Sequence, residues 1–329
     1  MISTSDFVHL EYSPDLTPAG VSFCRRLLPR LEGPRGTYFF SRLRRIIAGV
    51  AVELAVRRYL GYLEVPFGLA SATSFTNREQ YGFTLGGHRC NIISFLISHV
   101  DAVAALQADP ALALQAPALI PADQYSSTGL RGSDVHIFAF LAGLVNDSRD
   151  EDLGAFAAGD PEFLLHAMPK AWASPRPWIP MAPLALKAES DSRVELELGG
   201  QDEAGDFLTS SVELRPRQRL ELHEGFYSLT HLHTKSRLTG AIGVSRPGAR
   251  QPHLVRPDDW GDLWIRGQDI LLLGWMRHDE FQRRADVIPV GRRVFQFRRT
   301  RAKNFAVPVA DLKPMQRLLG APPKDMAID

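Results

Sequence analysis

The chain has 329 residues, 45% of them hydrophobic, and a formal charge of +1. That is enough apolar material for one large or two ordinary domains, and too little net charge to point to a partner. No 18-residue apolar run free of charge occurs, and Met1 to Tyr12 carry Asp6 and Glu11 with no basic segment, so neither a transmembrane helix nor a signal peptide is expected.

Cys24 and Cys90 lie far apart without metal-type spacing, which fits a reduced, cytoplasmic chain. Charge is unevenly spread. Up to Pro169 there are 13 Arg, no Lys and 17 carboxylates, so this part carries −4 and the remainder +5.

The first predicted elements are helical. Val21 to Leu31 reads as a short helix ended by Gly33-Pro34. Ser41 to Tyr62 reads as a long one, with Leu43, Ile46, Ile47, Val50, Leu54 and Leu60 at helical spacing. Arg42, Arg44, Arg45, Arg57 and Arg58 form its expected solvated side, and Glu53 has Arg57 four residues on. Glu64 to Gln80 is a loop-rich connection. Tyr81 to Phe95 then reads as a β-hairpin turned by Gly86-Gly87, which tolerates positive φ. His99 to Leu106 is a short helix and Ala116 to Gln124 an extended segment; Val135 to Val145 is a buried strand or a buried helix segment, and its β-branched and aromatic start favours the strand. Asp147, Asp150, Glu151 and Asp152 form an acidic loop without a calcium-loop pattern.

Five prolines between Pro169 and Pro183, with Trp172 and Trp178 among them, read as a stiff linker. Beyond it short strands follow one another. Arg193 to Leu198 alternates and Gly199-Gly200 reads as a turn. Phe207 to Leu214, Arg219 to Leu222, Phe226 to Leu232, Ala241 to Val244, Leu263 to Ile265 and Ile270 to Met276 complete a pattern expected of a β-sandwich or small barrel. Asp279 to Val287 is a predicted helix, Val294 to Phe297 a strand and Asp311 to Leu319 a last helix.

The hairpin Tyr81-Gly82-Phe83-Thr84-Leu85-Gly86-Gly87-His88-Arg89-Cys90-Asn91-Ile92-Ile93-Ser94-Phe95 resembles that of the restriction-endonuclease-like, PD-(D/E)XK nuclease superfamily. The likeness covers about Ser41 to Val145. It implies an α/β fold: a restriction-endonuclease-like core, a mixed sheet with flanking helices, over 1–168, then the linker at 169–183 and a β-rich domain over 184–329. In that superfamily two carboxylates of the hairpin hold Mg²⁺, and a lysine two residues after the second stands beside the phosphate; a helical carboxylate often joins them. The matching positions here are Gly82, Asn91 and Ile93, with Glu53 in the helical slot. Gly82 has no side chain, Asn91 no charge, and Ile93 cannot stabilise an anion, so the site is degenerate and no cofactor is expected. Glu79 and Arg89 are the conceivable substitutes, and with them the chain reads instead as an active Mg²⁺-dependent nuclease with a relocated site.

A second motif, Gly225-Phe-Tyr-Ser-Leu-Thr-His231-Leu-His233, has the spacing of the first metal motif of cupins, with Arg237 and Leu238 where the Glu would stand; it carries the alternative reading of a cupin-like metal-binding enzyme with His231 and His233 as ligands. A third feature is basic. Phe281 to Arg317 carries eight Arg and two Lys against Asp286 and Asp311, with Phe295, Phe297 and Phe305 interleaved. Arg292, Arg293, Arg298, Arg299, Arg301 and Lys303 therefore stand as a candidate nucleic-acid surface. The combined expectation is an inactive nuclease-fold protein that binds nucleic acid or scaffolds a protein partner, with no membrane role. Analogy with where such folds occur suggests bacterial defence or mobile elements.

Overall fold

The structure, a computed structural model, describes residues 2–31, 38–69, 82–126, 129–146 and 161–320. Its strands are β1 (Val8–Glu11), β2 (Phe67–Leu69), β3 (Phe83–Leu85), β4 (His88–Ile97), β5 (Pro117–Pro121), β6 (Val135–Val145), β7 (Leu164–Ala167), β8 (Leu184–Ala188) and β9 (Val194–Gln201). The remainder are β10 (Phe207–Leu214), β11 (Arg219–Leu222), β12 (Ser228–Thr234), β13 (Ile242–Ser245), β14 (His253–Val255), β15 (Gly261–Asp262), β16 (Ile265–Arg277), β17 (Asp286–Ile288) and β18 (Asn304–Pro308). The helices are α1 (Leu16–Leu27), α2 (Phe39–Tyr62), α3 (Val100–Ala108), α4 (Ala122–Tyr125), α5 (Lys170–Ala173), α6 (His278–Arg284) and α7 (Met315–Leu319).

The fold is mixed α/β. A six-stranded sheet runs β1-β16-β6-β4-β3-β2. Its centre is β6, which is apolar on both faces, as a strand covered on both sides must be. β6 pairs parallel with β4 and antiparallel with β16. Alternation then divides its side chains. Val135, Ile137, Ala139 and Leu141 face a core shared with Leu43, Ile47, Ala51 and Val56 of α2. Phe138 and Phe140 face the other layer, with Phe281 of α6, Leu119 of β5 and Val307 of β18.

The expected hairpin forms. Gly86 and Gly87 turn the chain at φ of +55° and +78°, and Phe83 pairs with Cys90 and Leu85 with His88. The helix over Ser41 to Tyr62 and the strand over Val135 to Val145 also form.

The second half departs from a simple succession of domains. Residues 164–262 build a five-stranded sheet, β10-β9-β12-β7-β15, and a four-stranded sheet, β11-β8-β13-β14, around a core of their own. Residues beyond them return to the first half: β16 lies between β1 and β6, and β18 pairs with β5. The sandwich is thus an insertion. It leaves the central sheet after Val145 and re-enters at Ile265, which are ladder partners. The expected linker at 169–183 lies within this insertion, where it joins β7 of the five-stranded sheet to β8 of the four-stranded one.

Other expectations are corrected locally. Gly199-Gly200 does not turn the chain; β9 continues to Gln201. Both glycines permit close approach, since a Cβ on Gly199 would strike the His231 ring and one on Gly200 the Ser228 carbonyl. Leu263 to Ile265 and Ile270 to Met276 are not two strands, because β16 runs through Ile265–Arg277. Asp279 to Val287 splits into the end of α6 and β17. Val294 and Phe297 face each other in a tight turn rather than a strand. Arg44 is not solvated: it is 3% exposed and donates to the carbonyls of Asn146 and Asp262, at the two stems of the insertion. Among the described residues no helix is long and apolar enough to cross a membrane.

Candidate functional site: the Glu53 pocket and the basic surface

α2 lies across β4, so its outward-turned residues meet the hairpin. Phe23, Ile46, Gly49, Val50, Glu53, Gly82, Phe83, Asn91 and Ile92 line a pocket of about 240 Å³. Three of the four positions singled out in the sequence therefore meet. A Cβ on Gly82 would stand 2.8 Å from Glu53 Oε1. Ile93 does not join them. It is buried in the opposite core with Phe95 and Ile97, whereas Ile92 packs on the α2 side. Successive strand residues point to opposite faces, so Ile93 has the sheet between it and Glu53, and Asn91, two positions earlier, lines the pocket from a position whose alternation matches Ile93 and not Ile92.

The chemistry of this pocket is meagre. Glu53 is held by Arg57, one turn on, so its charge is already answered. Mg²⁺ needs a near-octahedral set of oxygens and usually a carboxylate free to bind it. Among the described residues the pocket offers one carboxylate, paired with a guanidinium, beside a glycine and an asparagine, and that set does not fit the ion. Glu79 and the acidic loop at Asp147, Asp150, Glu151 and Asp152 lie outside the described residues.

Arg89, the other conceivable substitute, points elsewhere. Its guanidinium holds the buried carboxylate of Asp134, with Nε donating to Oδ1 at 2.8 Å, and donates to the Gly129 carbonyl at 2.7 Å. Burial alone would raise the Asp134 pKa, but the Arg89 and Arg131 donors outweigh it and hold the carboxyl below its ordinary value. Beside this pair, His136 Nε2 meets His278 Nδ1 at 3.0 Å, and His278 Nε2 meets the Gln282 amide at 2.9 Å. Burial, then the neighbouring His278, pushes the His136 pKa down to about 4.

His231 and His233 both sit in the strand β12 and are buried. The His233 ring stacks on Phe163 at 3.4 Å, and its Nδ1–H donates to the Leu164 carbonyl at 3.1 Å. His231 Nδ1 meets Thr230 Oγ1 at 3.0 Å, while Arg25 Nε donates to its Nε2 at 3.5 Å. Both rings are engaged by the protein. Among the described residues no group of three His, Cys, Asp or Glu is arranged to hold a metal ion.

The basic tract is an ordered loop between β17 and β18. Thr300 is buried and ties its two limbs: its N–H donates to the Arg292 carbonyl at 2.8 Å and its hydroxyl to the Pro289 carbonyl at 2.6 Å. Phe295 stacks on Phe140 and Phe297 meets Phe95 edge-on, both at 5.7 Å between ring centres. The aromatic residues thus face inward, and Arg292, Arg293, Arg298, Arg299, Arg301 and Lys303 are all exposed. Arg292, Arg293, Arg299, Arg301 and Lys303 form no ion pair among the described residues.

The loop also crosses the sheet. β3 pairs only with His88 to Cys90, so among the described strands Asn91 to Ile97 has a partner on the β6 side alone. Phe297 rests on one face of this edge, and Arg301 reaches Tyr38 at the start of α2 on the other, its guanidinium carbon 3.7 Å from the ring centre. There its charge acts on Arg45, as does that of Arg42. Burial first, then the charges of Arg301 and Arg42, lowers the Arg45 pKa. Sequence reasoning missed Tyr38 as part of any surface and took Arg42 and Arg45 only as a solvated helix face. Their alliance with residues about 260 positions away is a tertiary fact. Comparison with family models, with curated proteins and with solved structures returns no match.

Proposed function

We propose that this chain is a nucleic-acid-binding protein built on a nuclease-like core whose metal site is degenerate, so that it binds without cutting. The observation that carries the reading is the joining of two basic segments. Arg301 lies over Tyr38 and acts on Arg45, so the C-terminal loop and the first turns of α2 share one cationic surface. Like charges gathered at this density repel one another, and a polyanion relieves the repulsion. The loop is tied by Thr300 and anchored by Phe295 and Phe297, so its cations are presented on ordered backbone at small entropic cost. Along α2 the surface leads from Arg42 and Arg45 towards Gly49 and Glu53, a helical stripe at spacings of three and four residues.

Binding of this kind is mainly electrostatic, and its affinity falls with salt. Four phosphate contacts give a slope of log K against log salt of about −3 to −4. Replacing Arg292, Arg293 and Arg299 by Ala is expected to reduce its magnitude by about two to three. Anisotropy titrations at several salt concentrations measure this, and an unchanged slope rejects the surface. The silent site is tested separately. Plasmid incubated with Mg²⁺ or Mn²⁺ should remain supercoiled; cleavage that disappears in Glu53→Ala would mean that the pocket is catalytic.

A further inference from the structure

We propose that Tyr38 and Arg301 form a stacking platform for an unpaired nucleobase, so that the ligand of the basic surface is single-stranded nucleic acid. The inference rests on the nucleic-acid reading above and adds the strandedness of the ligand.

Tyr38 is the residue preceding α2 and is 59% exposed, among the largest exposures of any bulky side chain in the described residues. An aromatic ring left in water costs hydrophobic free energy that burial would recover, and among the described residues Tyr38 keeps most of its surface exposed. Among the described residues its ring contact is with Arg301, whose guanidinium carbon sits 3.7 Å from the ring centre. That distance corresponds to parallel or near-parallel stacking of two planar groups. The guanidinium occupies one face of the ring. The exposure shows that much of the rest is open to solvent.

The surroundings carry the charge such a ligand needs. Arg299 and Lys303 flank Arg301 and are exposed, and Arg42 and Arg45 stand on the adjoining turns of α2. An aromatic ring set among cations is the combination by which single strands are held: the cations follow the phosphates, and the ring takes the face of a base. In a duplex each base is already stacked on its neighbours and its faces are inaccessible, so Tyr38 has nothing to receive there. The platform is indifferent to base identity, since every base has a π-face.

The experiment uses the full chain with a labelled single-stranded oligonucleotide, the matching duplex, and polyglutamate of similar charge, each titrated at several salt concentrations. Tyr38→Ala is expected to weaken single-strand binding roughly 5- to 150-fold, the range for loss of one stacked base, with an unchanged salt slope. Tyr38→Phe keeps the ring and should bind as the parent does. Duplex affinity should change less than about twofold in Tyr38→Ala, because no base reaches the ring. If Tyr38→Ala weakens both ligands equally, or neither, while the parent keeps its salt-dependent binding, the platform is overturned and the electrostatic surface stands. If the parent binds polyglutamate as tightly as the oligonucleotide, the surface takes any polyanion and the platform is again overturned. If the parent shows no salt-dependent binding at all, the underlying reading falls and the platform with it.

Discussion

Arg44 and His136 are buried polar side chains whose replacement has calculable consequences. Arg44 is the clearest. Its guanidinium donates at 2.8 Å to Asp262 and at 3.0 Å to Asn146, which pins both stems of the insertion to α2. Arg44→Met keeps the aliphatic stem and leaves two buried carbonyls unanswered, at about 1–3 kcal/mol each. The expected loss is about 2–5 kcal/mol in urea unfolding; a loss under about 0.5 kcal/mol would mean that water replaces the guanidinium.

His136 makes the stability depend on pH. Its folded pKa lies near 4, pushed down by burial and then by His278, against an unfolded value near 6.5. The unfolded chain therefore binds this proton first as pH falls. The contribution is complete above about pH 6.5, declines through the interval, and levels off below about pH 4, for a total of about 3 kcal/mol. Between pH 6 and 4.5, His136→Gln should lose about 1.4 kcal/mol per pH unit of this dependence relative to the parent. Equal slopes for the two proteins would show that the imidazole titrates normally.

Among the elements, the hairpin was legible and the glycine pair of β9 was not, although both read as Gly-Gly in the sequence. Gly86 and Gly87 lie at positive φ with open space around them, so the backbone alone requires glycine. Gly199 and Gly200 have no such φ and are required by β12, the neighbouring strand in the same sheet, whose register shift between Leu229 and His231 brings the His231 ring and the Ser228 carbonyl onto them. Composition cannot separate a glycine needed for its own conformation from one needed by a neighbour. The distinction is testable by coupling. Gly199→Ala should cost about 1–3 kcal/mol through its collision with the His231 ring, and His231→Ala should remove much of that penalty. A double-mutant cycle is expected to give at least about 1 kcal/mol of interaction energy, and additive effects would contradict the close approach. Gly86→Ala should cost a similar amount, about 1–2 kcal/mol, with no dependence on His231.

At the scale of the molecule, the insertion decides what can fold alone. β16 pairs with β6 along its whole length, from Ile265 with Val145 to Arg277 with Val135. A fragment ending at residue 168 lacks this partner and exposes the edge of a strand that is apolar on both faces. Such an edge is a template for association. The fragment 1–168 is therefore expected to aggregate or lack dispersed amide resonances. By contrast, replacing 147–262 by a short turn, with 263–320 kept, should give a cooperative unfolding transition, because Val145 and Ile265 are already adjacent. A folded, monomeric 1–168 fragment would show that β16 is dispensable.

What the sequence determined by itself was local. Helical spacing of apolar residues located α2, the β-branched and aromatic start of an apolar run favoured the strand β6, and Gly86-Gly87 located the hairpin turn, since each depends on neighbours within a few positions. It also brought forward Glu53, Gly82 and Asn91, which do share a pocket. Only the tertiary structure decided that Ile93 belongs to the opposite core, that Arg89 serves Asp134, and that Ile265–Arg277 completes the first sheet and not the sandwich. Those outcomes turn on which face of a strand is covered and which distant segment covers it. The same holds for Tyr38, Arg45 and Arg301: stacking and charge act through space, and nothing in the order of residues records that 38 and 301 are neighbours.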